Sequence, residues 1–521
     1  MYRNKGTITV FLSLISMLFL SLFCTMAESV RVQAARFQAA AAFDMGLFSI
    51  FGEYDRVLLE EYDLWFLDGS SEEQKIREVL ETKLEKYIQP NINPRYNLAA
   101  GRSWDVFPTE LDRCTVDKYA LATDHGGQVF YSQAVENQKE LFVGEAASAL
   151  KKNIKQMEEG HQKGEEYQNE EQKADEEYQR AQAAQMEEKK RQESEKENAE
   201  KQEESDIKET EAVQAKVENP LDQIKKIKSM GILGLVLKDG TVVSDKTIER
   251  KNLPSERNLQ KGSLLVNEIS ADPVSEAIFL NYLQKHFRCA VDEGGKHQKG
   301  SKEHSLSYEL EYIIGGQKSD RENLKKTVNR ILLIREGMNY ATLAKSAKMR
   351  GEAMALAAAI TGAAALPEFA GALQKLLMLA WAYGESLLDV RTLLAKGKVP
   401  MLKAETEWRL PLEKLGMLAE VLKECDAGGG NGQSYEDYLS GLLILGKKQQ
   451  RNLRVLDLIE CNRRMEKGGE IFRVDALVAQ AEASADFELA PVFLKVPAVW
   501  MHVRNQGTAY TIKGQYGYRQ P

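Results

Sequence analysis

The sequence has few cysteines and no surplus of basic residues. Its five cysteines are scattered, without a CxxC pair or regular spacing, so disulfides are compatible with the sequence but not implied by it. Lys and Arg number 70 against 78 Asp and Glu, a net charge of −8. This balance excludes the basic footprint of a nucleic-acid-binding protein. The cysteines are Cys24, Cys114, Cys289, Cys425 and Cys461.

Familiar catalytic motifs are also missing. The sequence contains no GxSxG elbow, P-loop, Rossmann glycine set or HExxH. Glu385 and Asp389 lie four residues apart on a predicted helix, a spacing that suits paired carboxylates in acid–base catalysis. With Arg391 and Lys396 close by, the simpler interpretation is a solvated or ion-paired helix edge. We therefore expect no enzymatic activity and no cofactor.

A metal site is a further alternative. The residues His286, Cys289, His297 and His304 are of types that bind zinc, but their spacing does not match a zinc finger and no second close pair completes a tetrahedral set. The loop around His297 is polar and glycine-rich, which favours an exposed loop without metal.

Only one long apolar run is present near the start of the chain. It covers residues 7–27 without a charge, which is long enough to cross a bilayer core of about 30 Å. Removal after Ala27 and lipidation at Cys24 are alternatives, but the helical pattern continues beyond the run, so we expect it to stay as an anchor. Flanking basic residues are balanced, and we expect the long C-terminal part to lie outside.

Small polar residues follow one face of this predicted membrane helix. Thr9, Ser13 and Ser16 have the spacing i, i+4 and i+7, which lets membrane helices approach closely and predicts a contact face, including one for a homo-oligomer. Alternatively, these residues only dilute the hydrophobicity.

The rest of the chain is expected to be mainly α-helical with a minor β component. A second helix from Ile76 to Ile88 and a short strand at 113–119 are predicted near the anchor, and GTAYTIKGQYGY and VPAVWMHV near the end of the chain are typical of strands. Long helices are predicted between them, at 305–315, 320–347, 352–366, 368–395, 412–426 and 435–463. The run from Met354 to Leu366 is too short and alanine-rich for a second membrane span, which favours a buried hairpin.

Residues 158–206 contain no Leu, Val, Ile or Phe. Because such a segment has little to bury, we expect a solvated spacer without tertiary packing, or less readily a partner-binding arm. The predicted organisation is a cytoplasmic tip (1–6), a membrane helix (7–27), a stalk helix (28–66), a membrane-proximal α/β region (67–157), a charged spacer (158–218) and a helical C-terminal domain (219–521).

Several segments resemble a family encoded beside Tad-type pilus genes in Gram-positive anaerobes, which is itself similar to the TadE/TadG-like minor pseudopilins. Near the start, the resemblance is carried by GTITVFLSLISMLFLSLF, AESVRVQAARF and FGEYDRVLLEEYDLWFLD. Further along, it is carried by LPSERNLQKG, LSYELEYIIGGQKSDRENLKKTVNRILLIREGMN, WAYGESLLDVRTLLAKGKVPMLK and YEDYLSGLLILGKKQQRNLRVLDLIE.

The resemblance implies an N-terminal membrane helix with a cytoplasmic tip, a domain outside the membrane and partners among pilus or secretion-system membrane proteins. Glu28 and Arg31 match the acidic-then-Arg signature that follows the TadE/TadG-like helix. Cleavage after a glycine would have to use Gly6, but Phe11 then stands fifth, where processed pilins typically carry glutamate. We therefore expect a pseudopilin-like accessory protein that acts by protein–protein contact. The alternatives are an envelope-acting enzyme and a cytoplasmic-facing scaffold.

Overall fold

The structure is a computed structural model that describes residues 5–92, 107–139, 144–199, 220–238, 240–265, 269–270, 272–291, 303–363, 367–424, 430–495 and 507–518. The chain divides into two compact units. The first unit comprises Met1–Glu140, Lys251–Ser270 and Val455–Pro521, and the second comprises Leu141–Arg250 and Ala271–Arg454.

The first unit combines helices with an antiparallel sheet. Its elements are α1 (Lys5–Phe51), α2 (Arg56–Tyr62), β1 (Leu67–Asp68), α3 (Ile76–Ile92), β2 (Thr109–Leu121), α4 (Asp124–Lys139), a 3-10 turn (Val474–Ala476), β3 (Leu477–Leu489) and β4 (Thr508–Gly517). β3 is the central strand, with β2 paired along one side and β1 and β4 along the other. The predicted helix from Ile76 and the predicted strands at 113–119 and in GTAYTIKGQYGY are confirmed, while VPAVWMHV lies outside the described residues.

The core of the first unit lies between the sheet and two helices. Side chains of β3 that face the helices alternate at Ala481, Ala483, Ala485 and Phe487 and are buried, as expected for a strand with one covered face. The helices α1 and α3 approach closely at Gly46, where a Cβ would lie only 2.8 Å from a side-chain carbon of Ile88. The five buried side chains of α3 are Ile76, Leu80, Leu84, Ile88 and Ile92.

The predicted stalk helix at 28–66 is only partly correct. The helix that starts in the apolar run does continue without a break, but it ends at Phe51. Asp55 then caps α2 by accepting hydrogen bonds from the amides of Val57 and Leu58. Asp63 ends α2 in a left-handed conformation with φ 52°. These local caps, together with Gly52, divide the segment into two helices.

All regular secondary structure in the described part of the second unit is helical. Its helices are α5 (Gly144–Ala199), α6 (Pro220–Ser229), α7 (Ile232–Val236), α8 (Pro273–His286), α9 (Glu309–Gly315), α10 (Asp320–Lys345), α11 (Ala347–Ala363), α12 (Ala370–Leu394), α13 (Leu418–Glu424), α14 (Tyr435–Leu445) and α15 (Lys448–Met465), the last of which ends in the first unit. Short 3-10 helices cover Pro367–Phe369, Glu405–Glu407 and Leu412–Met417.

The helices predicted from 305 onwards are confirmed, but several bounds differ: α11 begins at Ala347 and not at 352, α15 extends to Met465, and residues 412–417 form a 3-10 helix before α13. Capping explains several boundaries: Ser319 accepts a hydrogen bond from the Glu322 amide at the start of α10, and Ser434 forms a capping box with Asp437 before α14. The predicted helix at 435–463 is two helices, because the chain leaves the helical conformation at Gly446.

The prediction that residues 158–206 are an unpacked spacer is wrong for the first part of that segment. The helix α5 packs against other helices of the second unit, and Tyr167 and Ala174 within this segment are buried. The hydroxyl of Tyr167 donates a hydrogen bond of 3.0 Å to the carbonyl of Leu379. Residues 200–219 lie outside the described part of the chain.

Glycines explain how so polar a helix packs. A Cβ at Gly164 would lie 2.7 Å from the Leu333 carbonyl oxygen, and one at Gly337 would lie 2.3 Å from the Gly164 nitrogen. The backbones of α5 and α10 therefore touch at these glycines, and little apolar side-chain area is needed for the contact. This is a packing mode that a count of Leu, Ile, Val and Phe cannot detect.

The predicted domain boundaries also need correction. The range 67–157 is not a separate region and 219–521 is not one domain, because β1, β2, β3 and β4 form a single sheet of the first unit. Residues 251–270 also belong to the first unit, whereas α5 belongs to the second. Pairing between strands that are distant in sequence leaves no local signal of this arrangement.

Candidate functional site

The first part of α1 carries apolar side chains that the described part of the chain leaves uncovered. Among the described residues, α1 is the one helix that is long and apolar enough to cross a membrane. Leaving a large apolar side chain in water costs roughly 1.5–3 kcal/mol, so a continuous apolar surface of this kind requires lipid or a partner protein. Exposed side chains here include Ile8, Val10, Phe11, Leu12, Leu14, Leu18, Phe19, Leu22 and Phe23.

The predicted contact face of the membrane helix is exposed. Thr9 donates a hydrogen bond of 2.9 Å to the Gly6 carbonyl, and Ser13 donates one of 2.8 Å to the Val10 carbonyl. Ser16 is also exposed. Because the hydroxyls of Thr9 and Ser13 are satisfied within their own helix, these two side chains can enter lipid without an unpaired donor. Its use in helix–helix contact stays a prediction.

Burial of α1 begins at Cys24 and follows one helix face from there, including Glu28, Arg31 and Ala35. The same continuous helix therefore has an uncovered apolar part and a part that packs into the first unit. The transition falls at the end of the predicted membrane segment, residues 7–27.

Glu28 and Arg31 form a buried ion pair at this transition. The Arg31 guanidinium also donates a hydrogen bond of 2.6 Å to the carbonyl of Ala490. The second oxygen of Glu28 accepts hydrogen bonds from the amides of Val492, at 3.3 Å, and Phe493, at 2.8 Å. The pair thus holds the segment that follows β3 against the helix, and each charge is compensated by the other.

The described cysteines do not form disulfides. Cys24, Cys114, Cys289 and Cys461 are thiols, and Cys425 lies outside the described residues. Burial, reinforced by nearby carboxylates, raises the pKa of Cys114 and of Cys461 to about 12, so neither is present as a reactive thiolate at neutral pH.

Glu385 and Asp389 belong to a buried charge network in the second unit. Both side chains are fully buried on α12. Arg335 of α10 donates to Asp389 at 2.8 and 3.0 Å, Arg409 donates to it at 2.9 Å, and Lys403 pairs with both carboxylates. The expectation of a solvated helix edge is therefore wrong, although the expectation of ion pairing is correct.

The expected partners of this carboxylate pair are wrong as well. Arg391 donates instead to the carbonyls of Leu235 and Leu237. Lys396 lies beyond the end of α12 in a left-handed conformation with φ 65°. Helix periodicity predicted which residues share a helix, but it could not predict that Arg335, Lys403 and Arg409 reach Asp389 from other segments.

The charge balance of the network determines its chemistry. Burial by itself would raise the pKa of Asp389, but the nearby charges of Arg335, Lys403 and Arg409 outweigh this effect and hold that pKa well below its ordinary value. Asp389 is therefore a carboxylate saturated with cations, which makes it a poor proton donor and a poor base. Its evident effect is to join α12 to α10 and to the chain around residues 400–410.

Sequence reasoning missed Arg335, Lys403 and Arg409, and Arg335 is the most deeply buried of these cations. It is fully buried, and its guanidinium also donates to the carbonyls of Pro400 and Met401, both at 2.9 Å. A signal was present, because Arg335 and Asn339 are four residues apart within the apolar stretch of α10. A charge on the apolar face of a helix indicates a buried partner.

The zinc alternative lacks a cluster of ligands. His304 contacts Glu309, with 2.8 Å between the ring nitrogen and the carboxylate oxygen, and the ring of His286 packs against that of Tyr282. His297 lies outside the described residues. Within the part of the chain that the structure covers, no group of three or more His, Cys, Asp or Glu residues is arranged to hold a metal ion.

The alanine-rich run from Met354 belongs to α11, which packs one face against α12. Ala353 and Ala357 are buried, whereas Met354 is exposed. The predicted packing of α11 against the next helix is therefore confirmed, although only one face of α11 is buried. Residues 364–366 lie outside the described part of the chain.

Comparison with known proteins identifies a family. Residues 209–489, more than half of the chain, match DUF5702, a family of unknown function, and the chain belongs to that family. No curated protein and no solved structure matched the chain. The matched range contains the charge network around Asp389 and all of β3, but it does not include α1.

Proposed function

We propose that this member of the DUF5702 family is a single-pass membrane protein that serves as a pseudopilin-like accessory component of a Tad-type pilus or secretion system. Its folded units lie outside the cytoplasm, and it acts by binding other membrane proteins of that system. The proposal has three parts: the anchor, its orientation and its mode of action.

The observation that carries the proposal is the change in environment along α1. Before Cys24 the helix presents apolar side chains in all directions, and from Cys24 onwards one face is buried in the first unit. A helix with this division suits a membrane anchor that continues directly into a folded part. The buried pair of Glu28 and Arg31 fixes the point where the two environments meet.

The orientation and the cellular system rest on the sequence. Arg3 and Lys5 precede the apolar run, and long domains are translocated largely regardless of their charge. The likeness of the N-terminal segments to TadE/TadG-like proteins supports both an external location and a role beside pilus components. In that resemblance, Glu28 and Arg31 occupy the acidic-then-Arg signature.

The proposal that the protein acts by binding and not by catalysis is supported by the burial and neutralisation of the one carboxylate pair that the sequence suggested for catalysis. Glu385 and Asp389 are fully buried and neutralised by three cations, so a substrate would reach them only after the network had opened. Protein binding requires no such opening. An envelope-acting enzyme remains the alternative, and it would have to use other residues.

Membrane topology can be tested by cysteine labelling in intact cells. Val242, in the second unit, is 89% exposed, and a Val242→Cys variant should react with a membrane-impermeant maleimide once the cell wall is removed. An Asn4→Cys variant should react only after the membrane is permeabilised. The wild type supplies the background, since its described thiols are buried or half-buried. The reverse labelling pattern would indicate the cytoplasmic-facing scaffold.

Partner binding can be tested by purifying the protein from its native membrane. We expect pilus or secretion-system membrane proteins to co-purify, and we expect a variant with leucine on the predicted contact face to lose them. A variant with Leu14→Ile and Leu18→Ile should retain them, because it keeps an apolar surface of the same size. Loss in both variants, or in neither, would contradict a role for the contact face of Thr9, Ser13 and Ser16.

A further inference from the structure

The second unit contains a cavity of about 580 Å³ with a strongly basic lining. Residues from α5, α9, α10, α14 and α15 surround it. Among the residues described along its wall there is no Asp or Glu. The basic members are His161, Lys326, Arg330, Lys447, Arg451 and Arg454.

Three of these cations converge on the last carbonyl groups of α9. Lys326 donates to the Gly315 carbonyl at 2.8 Å, and Arg330 donates to the Ile314 carbonyl at 3.4 Å. Arg454 donates to the carbonyl groups of Ile313 and Ile314, both at 2.9 Å. The side chains are therefore held in place on one side of the cavity by backbone oxygens.

The approach of Arg454 depends on a glycine. Gly316 has φ 61°, and a Cβ there would lie 2.4 Å from the central carbon of the Arg454 guanidinium. Any side chain at this position would displace the guanidinium. Arg451 differs from the other cations because Glu276 neutralises it through contacts of 2.7 and 3.3 Å.

The backbone oxygens do not balance the charge. The carboxyl end of a helix carries the equivalent of about half a negative charge, against the two full positive charges of Lys326 and Arg330. Within the described part of the chain, neither Lys326 nor Arg330 has a carboxylate within ion-pair distance. Burial lowers the pKa of Lys326, and the charges of Arg330, Arg454 and Arg250 lower it further. Burial also lowers the pKa of Arg330.

The other walls of the cavity complement this charge. The start of α15 borders it at Lys447 and Gln450, and the amides in the first turn of a helix favour anions. Leucine and isoleucine side chains form an apolar wall, among them Ile334, Leu442 and Leu443. A ligand that fits all these surfaces is anionic at one end and less polar at the other.

We propose that the cavity binds a small molecule with more than one phosphate charge, held by Lys326, Arg330 and Arg454. Guanidinium groups match the geometry of phosphate oxygens, and Lys supplies a point charge. A volume of about 580 Å³ is within the usual range for small-molecule sites, about 300–1,000 Å³. A soluble organic phosphate and a phospholipid head group share this chemistry. The site would give the protein a ligand in addition to its protein partners.

Binding can be measured by calorimetry on the full-length protein in a non-ionic detergent. Tripolyphosphate is the probe, at an ionic strength of about 0.15 M that is kept constant to limit unspecific attraction. We expect saturable binding and a higher melting temperature. The double variant K326Q/R330Q should bind at least about tenfold more weakly. The control variant K325Q, which removes an exposed lysine from the same helix, should bind like the wild type.

The variants also separate ligand binding from a purely structural role. Without ligand, K326Q/R330Q should melt at the same temperature as the wild type or higher, because repulsion between cations is removed. If the cations only cap α9, K326Q/R330Q has a lower melting temperature than the wild type, and tripolyphosphate changes the melting temperature of neither protein. That result would overturn the proposal. If K326Q/R330Q binds tripolyphosphate as tightly as the wild type does, the proposal is also overturned. The single variant R330Q serves if the double variant does not fold.

Competition distinguishes the two sources of phosphate. Dihexanoyl phosphatidylglycerol below its micelle concentration should displace tripolyphosphate if the natural ligand is an anionic lipid head group, while dihexanoyl phosphatidylcholine should not. Saturable tripolyphosphate binding that the anionic lipid leaves unchanged supports a soluble phosphate compound. Failure of tripolyphosphate to bind the wild type contradicts both versions and leaves the proposed membrane anchoring unaffected.

Discussion

Replacing Gly164 by alanine tests whether α5 is a packed element or a solvated spacer, because the two cases predict effects of opposite sign. In a solvated helix, Gly→Ala stabilises by about 1 kcal/mol, since alanine loses less backbone entropy. In the packed helix, the new methyl group would lie 2.7 Å from the carbonyl oxygen of Leu333 and 2.9 Å from the side chain of that residue.

The size of the effect follows from this geometry. An ordinary carbon–oxygen or carbon–carbon contact is longer by roughly 0.7 Å or more, so the backbones of α5 and α10 would have to separate. The obstacle is a backbone atom and cannot rotate away. Overpacking of this kind costs about 1–3 kcal/mol. We therefore expect Gly164→Ala to destabilise the second unit despite the better helix propensity of alanine.

Hydrogen exchange read by mass spectrometry gives the assay, since it reports the free energy of opening separately for peptides from α5 and α10. Gly164→Ala should speed exchange in both helices. Asn169→Ala is the matched control, because Asn169 is exposed on α5 and its replacement should leave exchange unchanged or slow it. Slower exchange in Gly164→Ala would refute the packing of α5 against α10.

Three further variants test the buried charges. Asp389→Asn removes the carboxylate that compensates Arg335, and the free energy of unfolding of the second unit, measured with denaturant, should fall by about 3–5 kcal/mol. Burial raises the pKa of Glu336 from 4.5 to about 8. A carboxyl group whose pKa is higher in the folded state destabilises that state as the pH rises between these two values. The free energy of unfolding of the wild type should therefore fall over this pH range, and that of Glu336→Gln should fall by less. Arg31→Met leaves Glu28 buried without its cation, and limited proteolysis should then cut sooner around residues 490–493.

Two of these variants have a control at an exposed site. Glu352→Gln on α11 changes the same charge as Glu336→Gln and should not alter the pH dependence, because Glu352 is exposed. Arg36→Met lies on α1 close to Arg31 but is exposed, so cleavage around residues 490–493 should be unchanged. If a control behaves like its test variant, burial of the charge is not the cause of the effect.

Much of the fold could be predicted where a local pattern determines the structure. The apolar run, the long helices after residue 305 and the strand at 507–518 each have a periodicity that one segment contains by itself. The first residues of α10 and α14 follow from the N-capping residues Ser319 and Ser434. The helix α5 could not be predicted to pack, because Gly160 and Gly164 contribute close backbone approach and no apolar side chains.

The candidate sites show the same limit. Glu28 and Arg31 are three residues apart on one helix, so their pairing follows from helix geometry. Asp389, by contrast, meets Arg335 from a helix 54 residues earlier in the chain. In the basic cavity, Lys326 and Arg454 come from helices more than a hundred residues apart. Only the fold brings such residues together.

The continuity of α1 links the anchor to the first unit mechanically. Between Cys24 and Phe51 the helix contains no proline, and its single glycine, Gly46, lies packed against Ile88. A helix without a break transmits rotation about its axis, and Arg31 connects it to the chain that follows β3. Under the proposed function, a partner that binds the face of Thr9, Ser13 and Ser16 would therefore also fix the orientation of the sheet. The ion pair of Glu28 and Arg31 lies on the buried face of α1, where it fastens the helix to the chain that follows β3.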